Sequence, residues 1–127
     1  MGTDEPITGY LSDGNQTIAW VSHGLRDLVE LLDDGKDVTG WTATDKVVGR
    51  AAALLYRKAQ VGYVRAGVLS EPARKELDGA GIGVTGTQIV PDILNRERDG
   101  RCPMEVAVAE TSDPERAFES IKELLGV

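Results

Sequence analysis

Thr44 to Ala59, TDKVVGRAAALLYRKA, is the stretch on which the reading of this chain turns. Its apolar positions, Val47, Val48, Ala51, Ala52, Leu54, Leu55 and Ala59, cover more than the single stripe of a surface helix, so the spacing predicts a helix covered on most sides. Gly49, Ala51, Ala52 and Ala53 carry little or nothing beyond Cβ and let a sheet or another helix come close. Packing explains the alanines but not Asp45 and Lys46, opposite charges expected in the first turn. Thr42 or Thr44 is the candidate N-cap. Asp45 then has two readings: it favours the positive end of the helix dipole, or it is a functional acid at the helix mouth.

Upstream, Ile7 to Ser22 holds two β-like runs around Asp13-Gly14-Asn15, the pattern of a β-hairpin. Leu25, Leu28, Val29, Leu31 and Leu32 follow at helical spacing, with Gly35 as the stop. The lone histidine, His23, stands at the start of that helix without a partner in sequence. Asp37 to Thr44 reads as a connection carrying Trp41. Downstream, Val61 to Leu69 is an interior strand by its apolar run. Ser70-Glu71-Pro72-Ala73 then opens a helix with Ser70 as N-cap and Pro72 in the tolerant first turn. Gly81 to Gly86 spells G-x-G-x-x-G, but a helix precedes it and a β-like run follows, the reverse of a dinucleotide site. Those glycines read as a helix stop and a loose edge strand.

Pro91 to Arg101 is polar and carries Arg96, Arg98 and Arg101. The next helix opens at Cys102-Pro103-Met104-Glu105, with Glu105 spaced as in a capping box and Cys102 in the cap position. A thiol at a helix mouth beside guanidinium groups favours its thiolate. Equally, a free cysteine is often a small buried core residue. Asp113-Pro114-Glu115 caps a last amphipathic helix.

The chain of 127 residues suits one domain over 1–127. Fourteen basic against 21 acidic side chains give a net charge of −7, which repels nucleic acid and anionic lipid. No run is long enough to span a bilayer and MGTDEPITGY lacks a signal-peptide pattern, so a cytoplasmic location is expected. One cysteine excludes an internal disulfide and a multi-cysteine metal site, and nothing calls for a cofactor.

The order of elements is that of an α/β sandwich. With DKVVGRAAALL, the VLSEPA junction, and VPDILNR followed by GRCPMEVAV, the chain resembles the domain-of-unknown-function family 1893 of bacteria and archaea. The resemblance implies a cytidine-deaminase-like fold, a three-layer α-β-α sandwich with a mixed sheet of about five strands, and suggests a homodimer. It transfers no activity. Zinc deaminases carry His or Cys, then x, then Glu at one helix mouth and P-C-x-x-C at the next. By that resemblance Asp45-Lys46-Val47 and Glu71-Pro72-Ala73-Arg74 stand at those places, so the groups that hold and activate a water are expected to be missing.

Three helix mouths are therefore expected to converge on one pocket for a small anionic or nucleotide-like ligand. Asp45, Ser70, Glu71, Asn95 and Arg96 would bind it. An enzyme version makes Cys102 the nucleophile and gives Lys46 or Glu105 the proton transfer. The competing reading is a non-catalytic binding or assembly module, in which the same charges are caps and ion pairs and Cys102 is inert. A redox role for Cys102 lacks a resolving cysteine in this chain.

Overall fold

The computed structural model describes residues 7–21, 25–93 and 102–127. His23, Asn95, Arg96, Arg98 and Arg101 lie outside the described residues.

Two short strands, β1 (Gly9–Ser12) and β2 (Thr17–Trp20), form the expected hairpin. The Asp13 carboxylate accepts the N–H groups of Asn15 and Gln16 and ties the four-residue turn. Helix α1 (Arg26–Asp33) buries Leu28 and Val29. Then comes the main departure from expectation. Thr42–Val48 is a strand, β3, and the buried helix α2 starts only at Arg50 and runs to Ala59. Gly49, in extended conformation, is its N-cap, so neither Thr42 nor Thr44 caps it and Asp45 and Lys46 are strand residues. Four of the seven β3 residues are β-branched, which suits a pleated surface better than a helix.

Strand β4 (Tyr63–Ser70), helix α3 (Glu71–Gly79) and strand β5 (Gly83–Val90) follow as read, with β5 at the sheet edge. Gly81, at φ +77°, turns the chain after α3. A five-residue helix α4 (Pro103–Ala107) and the closing helix α5 (Pro114–Leu125), capped by the Asp113 side chain, complete the order.

The sheet is mixed, in the order β2-β1-β3-β4-β5. β1 runs antiparallel to both β2 and β3, while β3, β4 and β5 are parallel. The crossovers β2-α1-β3, β3-α2-β4 and β4-α3-β5 all advance the same way across it. Right-handed connections then lay all three helices over one face. In agreement, α2 touches α1, α3, α4 and α5. The α/β class and the mixed five-stranded sheet match expectation; a helical layer on the other face is not among the described residues. Cross-strand neighbours Ala19, Tyr10, Thr44, Arg65 and Thr85 form a row on that other face; Thr44 is partly buried and the other four are exposed.

The core lies between the sheet and α2. Leu11, Ala43 and Val64 from the strands meet Ala51, Leu54, Leu55 and Tyr56 of α2, Leu77 of α3 and Ile121 of α5, all buried. The run of alanines in α2 has the predicted use, letting neighbours close on its backbone from several sides.

Candidate functional site

At the carboxyl end of β3 the chain turns through Gly49 into α2, the place where open α/β sheets usually keep their ligand sites. A half-open cavity of about 160 Å³ lies there. Its walls are Thr8 before β1, Trp20 at the end of β2, Leu25 before α1, Asp45 and Val47 of β3, and Gly49, Ala51 and Ala52 at the mouth of α2. Ile93, Cys102, Met104 and Glu105 close it from the α4 side. The space suits a single ring: a dry cavity of about 150 Å³ holds benzene.

Asp45 lines the cavity with two other titratable side chains, Cys102 and Glu105. Its strand position turns the side chain toward the helices, where Tyr56 of α2 donates its hydroxyl to Oδ2 at 2.7 Å. Burial pushes the Asp45 carboxyl up from an ordinary 3.8 to about 6; the Tyr56 hydroxyl and the N–H groups of Val47 and Lys46 only partly offset this. Burial also raises the Tyr56 phenol well above its usual range, helped by the Asp45 charge. The folded chain therefore keeps the Asp45 proton to higher pH than the unfolded one. The stability this contributes is complete below about pH 3.8 and is lost as pH rises through about 6. Urea unfolding between pH 4 and pH 8 checks this. The Asp45→Asn variant is expected to show a flatter stability profile across the window and a higher midpoint than the parent at neutral pH.

Glu105 has a different task from those expected of it. It is 3% exposed, and its two oxygens accept the N–H groups of Arg50 and Ala51, each at 2.8 Å. It caps α2 from another helix rather than closing a capping box on its own, and it satisfies two of the orphan donors at the α2 start. Gly49 makes room for it. A Cβ there would stand 2.9 Å from the Glu105 carboxylate and 2.8 Å from Ile93, so Gly49→Ala is expected to displace the cap and lower the melting temperature. Cys102 shares the cavity wall and is half-buried. Its carbonyl accepts from Glu105 N–H at 2.9 Å, while its thiol makes no cap bond.

The other expected site residues are elsewhere. Lys46, next to Asp45, is exposed on the opposite face of the sheet. Ser70 is fully buried, and its hydroxyl accepts from Ala73 N–H at 3.2 Å as the α3 cap. Glu71 is exposed and pairs with Arg74 at 2.8 Å, which holds its carboxyl below the usual range. The mouth of α3 thus does not reach the cavity. The structure brings Asp45, Cys102 and Glu105 together, with the mouths of α1, α2 and α4 around them. Thr8, Trp20, Tyr56 and Met104 are site residues the sequence did not single out. Among the described residues, no group of three or more His, Cys, Asp or Glu is placed to hold a metal ion. Likewise no described helix is long and apolar enough to cross a membrane.

Fold and cavity together define an α/β domain with a small pocket at the strand-to-helix turn beside the middle of a mixed five-stranded sheet. Residues 5–125 match the model of the domain of unknown function DUF1893, and the chain belongs to that family. A crystal structure of a DUF1893 family protein from Thermotoga maritima is similar over 93% of this chain and 80% of its own, with 28% identity and a TM-score of 0.84. A diaminohydroxyphosphoribosylaminopyrimidine deaminase/5-amino-6-(5-phosphoribosylamino)uracil reductase, also from Thermotoga maritima, overlaps 83% of this chain and 34% of its own, with 14% identity and a TM-score of 0.49. No protein of curated description matches the chain.

Proposed function

We propose that the cavity at the mouth of α2 binds a small planar molecule carrying N–H groups, of the size and chemistry of a nucleobase. The observation that carries this reading is Asp45, a carboxyl drawn to about 6 by burial at the edge of a mostly apolar, ring-sized space. A ring N–H or exocyclic amine donating to Asp45 would stabilise the carboxylate that burial disfavours. Trp20, Leu25, Val47, Ile93 and Met104 would cover the faces of the ring.

The expectation of an anionic ligand changes in one respect. Among the described residues the cavity has no Lys or Arg in its wall, and two of its side chains are carboxylates. They favour the donor-bearing part of a nucleotide-like molecule over its phosphate. In this reading Glu105 and Ser70 are structural caps, as the assembly-module alternative holds for them, and Asp45 and Cys102 remain the groups a ligand would touch. Lys46, on the other face, takes no part in proton transfer here.

The test is a thermal-shift series with free adenine, guanine, cytosine and uracil. At least one is expected to raise the melting temperature with rising concentration, by mass action, and Asp45→Asn should remove the shift while the protein stays folded. No shift with any base, or an equal shift in the variant, contradicts the proposal.

A further inference from the structure

The sheet face away from the helices carries a second groove, of about 450 Å³, over β1, β3, β4 and β5. Tyr10, Thr44, Lys46, Arg65, Gly67 and Thr87 are among the residues that line it, as is Asp45, whose carboxyl is bonded by Tyr56. Parallel strands are ordinarily covered on both faces, and among the described residues no helix lies over this one.

The groove also brings two positive charges together in an acidic molecule. In a chain of 21 acidic and 14 basic residues, Arg50, Arg57, Lys58, Arg74 and Lys122 all meet carboxylates. Among the described residues Lys46 and Arg65 form no ion pair, as is also true of Arg26, Lys36, Lys75 and Arg116; what distinguishes the two is that they line one groove. The nearby acids are turned away: Asp45 is held by Tyr56 on the helix side, and Asp13 by its own turn. Arg65 pairs in register with Thr44, and Lys46 lies two residues along β3, so the two cations are diagonal neighbours about 7 Å apart at Cβ. Gly67 fits closely between them. A Cβ on it would meet the Lys46 carbonyl oxygen at 2.7 Å, so the floor of the groove stays bare backbone.

We propose that this groove is an anion site for a small phosphate-bearing molecule, whose phosphate bridges Lys46 and Arg65 with the hydroxyls of Thr44, Thr87 and Tyr10 around it. A guanidinium and an ammonium across one phosphate give charge-assisted hydrogen bonds from both sides. The net charge of −7 favours a small anion over a nucleic acid, which the rest of the surface repels.

Inorganic pyrophosphate serves as the probe, titrated at low ionic strength by calorimetry and by amide chemical shifts. Saturable binding is expected, with the largest shifts at Thr44, Gly67 and Thr87. Lys46→Gln and Arg65→Gln should each weaken it about tenfold or more; both side chains are exposed, so the fold should persist. Lys75→Gln, the same charge change on the far helix α3, should leave binding unchanged. Equal weakening by Lys75→Gln would show a general charge effect and overturn the proposal. So would shifts centred on the α2 cavity, or no binding together with a concentration-dependent mass that Arg65→Gln abolishes, since a second copy of the chain would then cover this face.

Discussion

Replacing Glu105 by alanine is expected to destabilise the fold by about 3 kcal/mol, since it removes a charged cap and strands two buried N–H groups. At this chain length that is a fall of roughly 10 °C in melting temperature. The argument rests on geometry: one 3%-exposed carboxylate spans two helices, both oxygens at 2.8 Å from consecutive amides at the start of α2. Water cannot readily replace it, because Gly49 and Ala51 are themselves buried there. Glu105→Gln keeps one carbonyl acceptor and should lose about half as much. Thermal and urea unfolding of the three proteins check the order. An alanine variant as stable as the parent would mean the α2 amides find other partners.

Arg50 is the second large effect. Its guanidinium donates to Glu76 of α3, to the carbonyls of Val108 and Thr111, and to the Ser112 hydroxyl. One side chain at the first position of α2 thus fastens α3 and the α4–α5 connection onto the central helix. Arg57, about two turns further along, shares Glu76, at 2.7 Å, and donates to the Ser112 carbonyl. Arg50→Ala is expected to cost about 2–3 kcal/mol, because two carbonyls and a largely buried carboxylate lose a donor. Arg57→Ala, with fewer bonds and a more exposed side chain, should cost about 1 kcal/mol. A double-mutant cycle of Arg50→Ala with Glu76→Ala should show coupling of about 1 kcal/mol or more, as expected of residues in one network. Additive losses would contradict that network. The consequence reaches the cavity, since the same contacts hold α4, and with it Cys102, against α2.

The segments flanking the centre were legible because each carried its own punctuation. Asp13-Gly14-Asn15 marked the hairpin, Ser70 and Pro72 marked α3, and Asp113 and Pro114 marked α5. The centre misled for a physical reason. A buried strand separated by one residue from a buried helix presents apolar side chains on every side, and Val47, Val48, Ala51, Ala52 and Leu55 fall at spacings that a helix also produces. Two signals pointed the other way: the β-branched run Thr42, Thr44, Val47 and Val48, and Gly49, a poor helix interior residue and an acceptable N-cap. The slip moved Asp45 and Lys46 from one helical turn to a strand, where neighbours point to opposite faces. Hence Asp45 reached the cavity and Lys46 the other groove. Glu105 was singled out for its place beside Cys102, but its bonds to Arg50 and Ala51 cross 55 and 54 residues of sequence, and no local pattern announces such a cap. Tyr56 was hidden in the same way, inside a helix that reads as pure core.

The central claim is that the α2 cavity receives a ligand beside Asp45 and Cys102. Cys102 is the chain's one thiol, so its alkylation reports on that cavity without interference. The direct measurement is the rate of Cys102 modification by iodoacetamide at pH 7.5, with and without the free base that gives the largest thermal shift. The account predicts a rate that falls with base concentration along a saturation curve, and no such protection in Asp45→Asn. A rate unaffected by any base in the parent protein would contradict it.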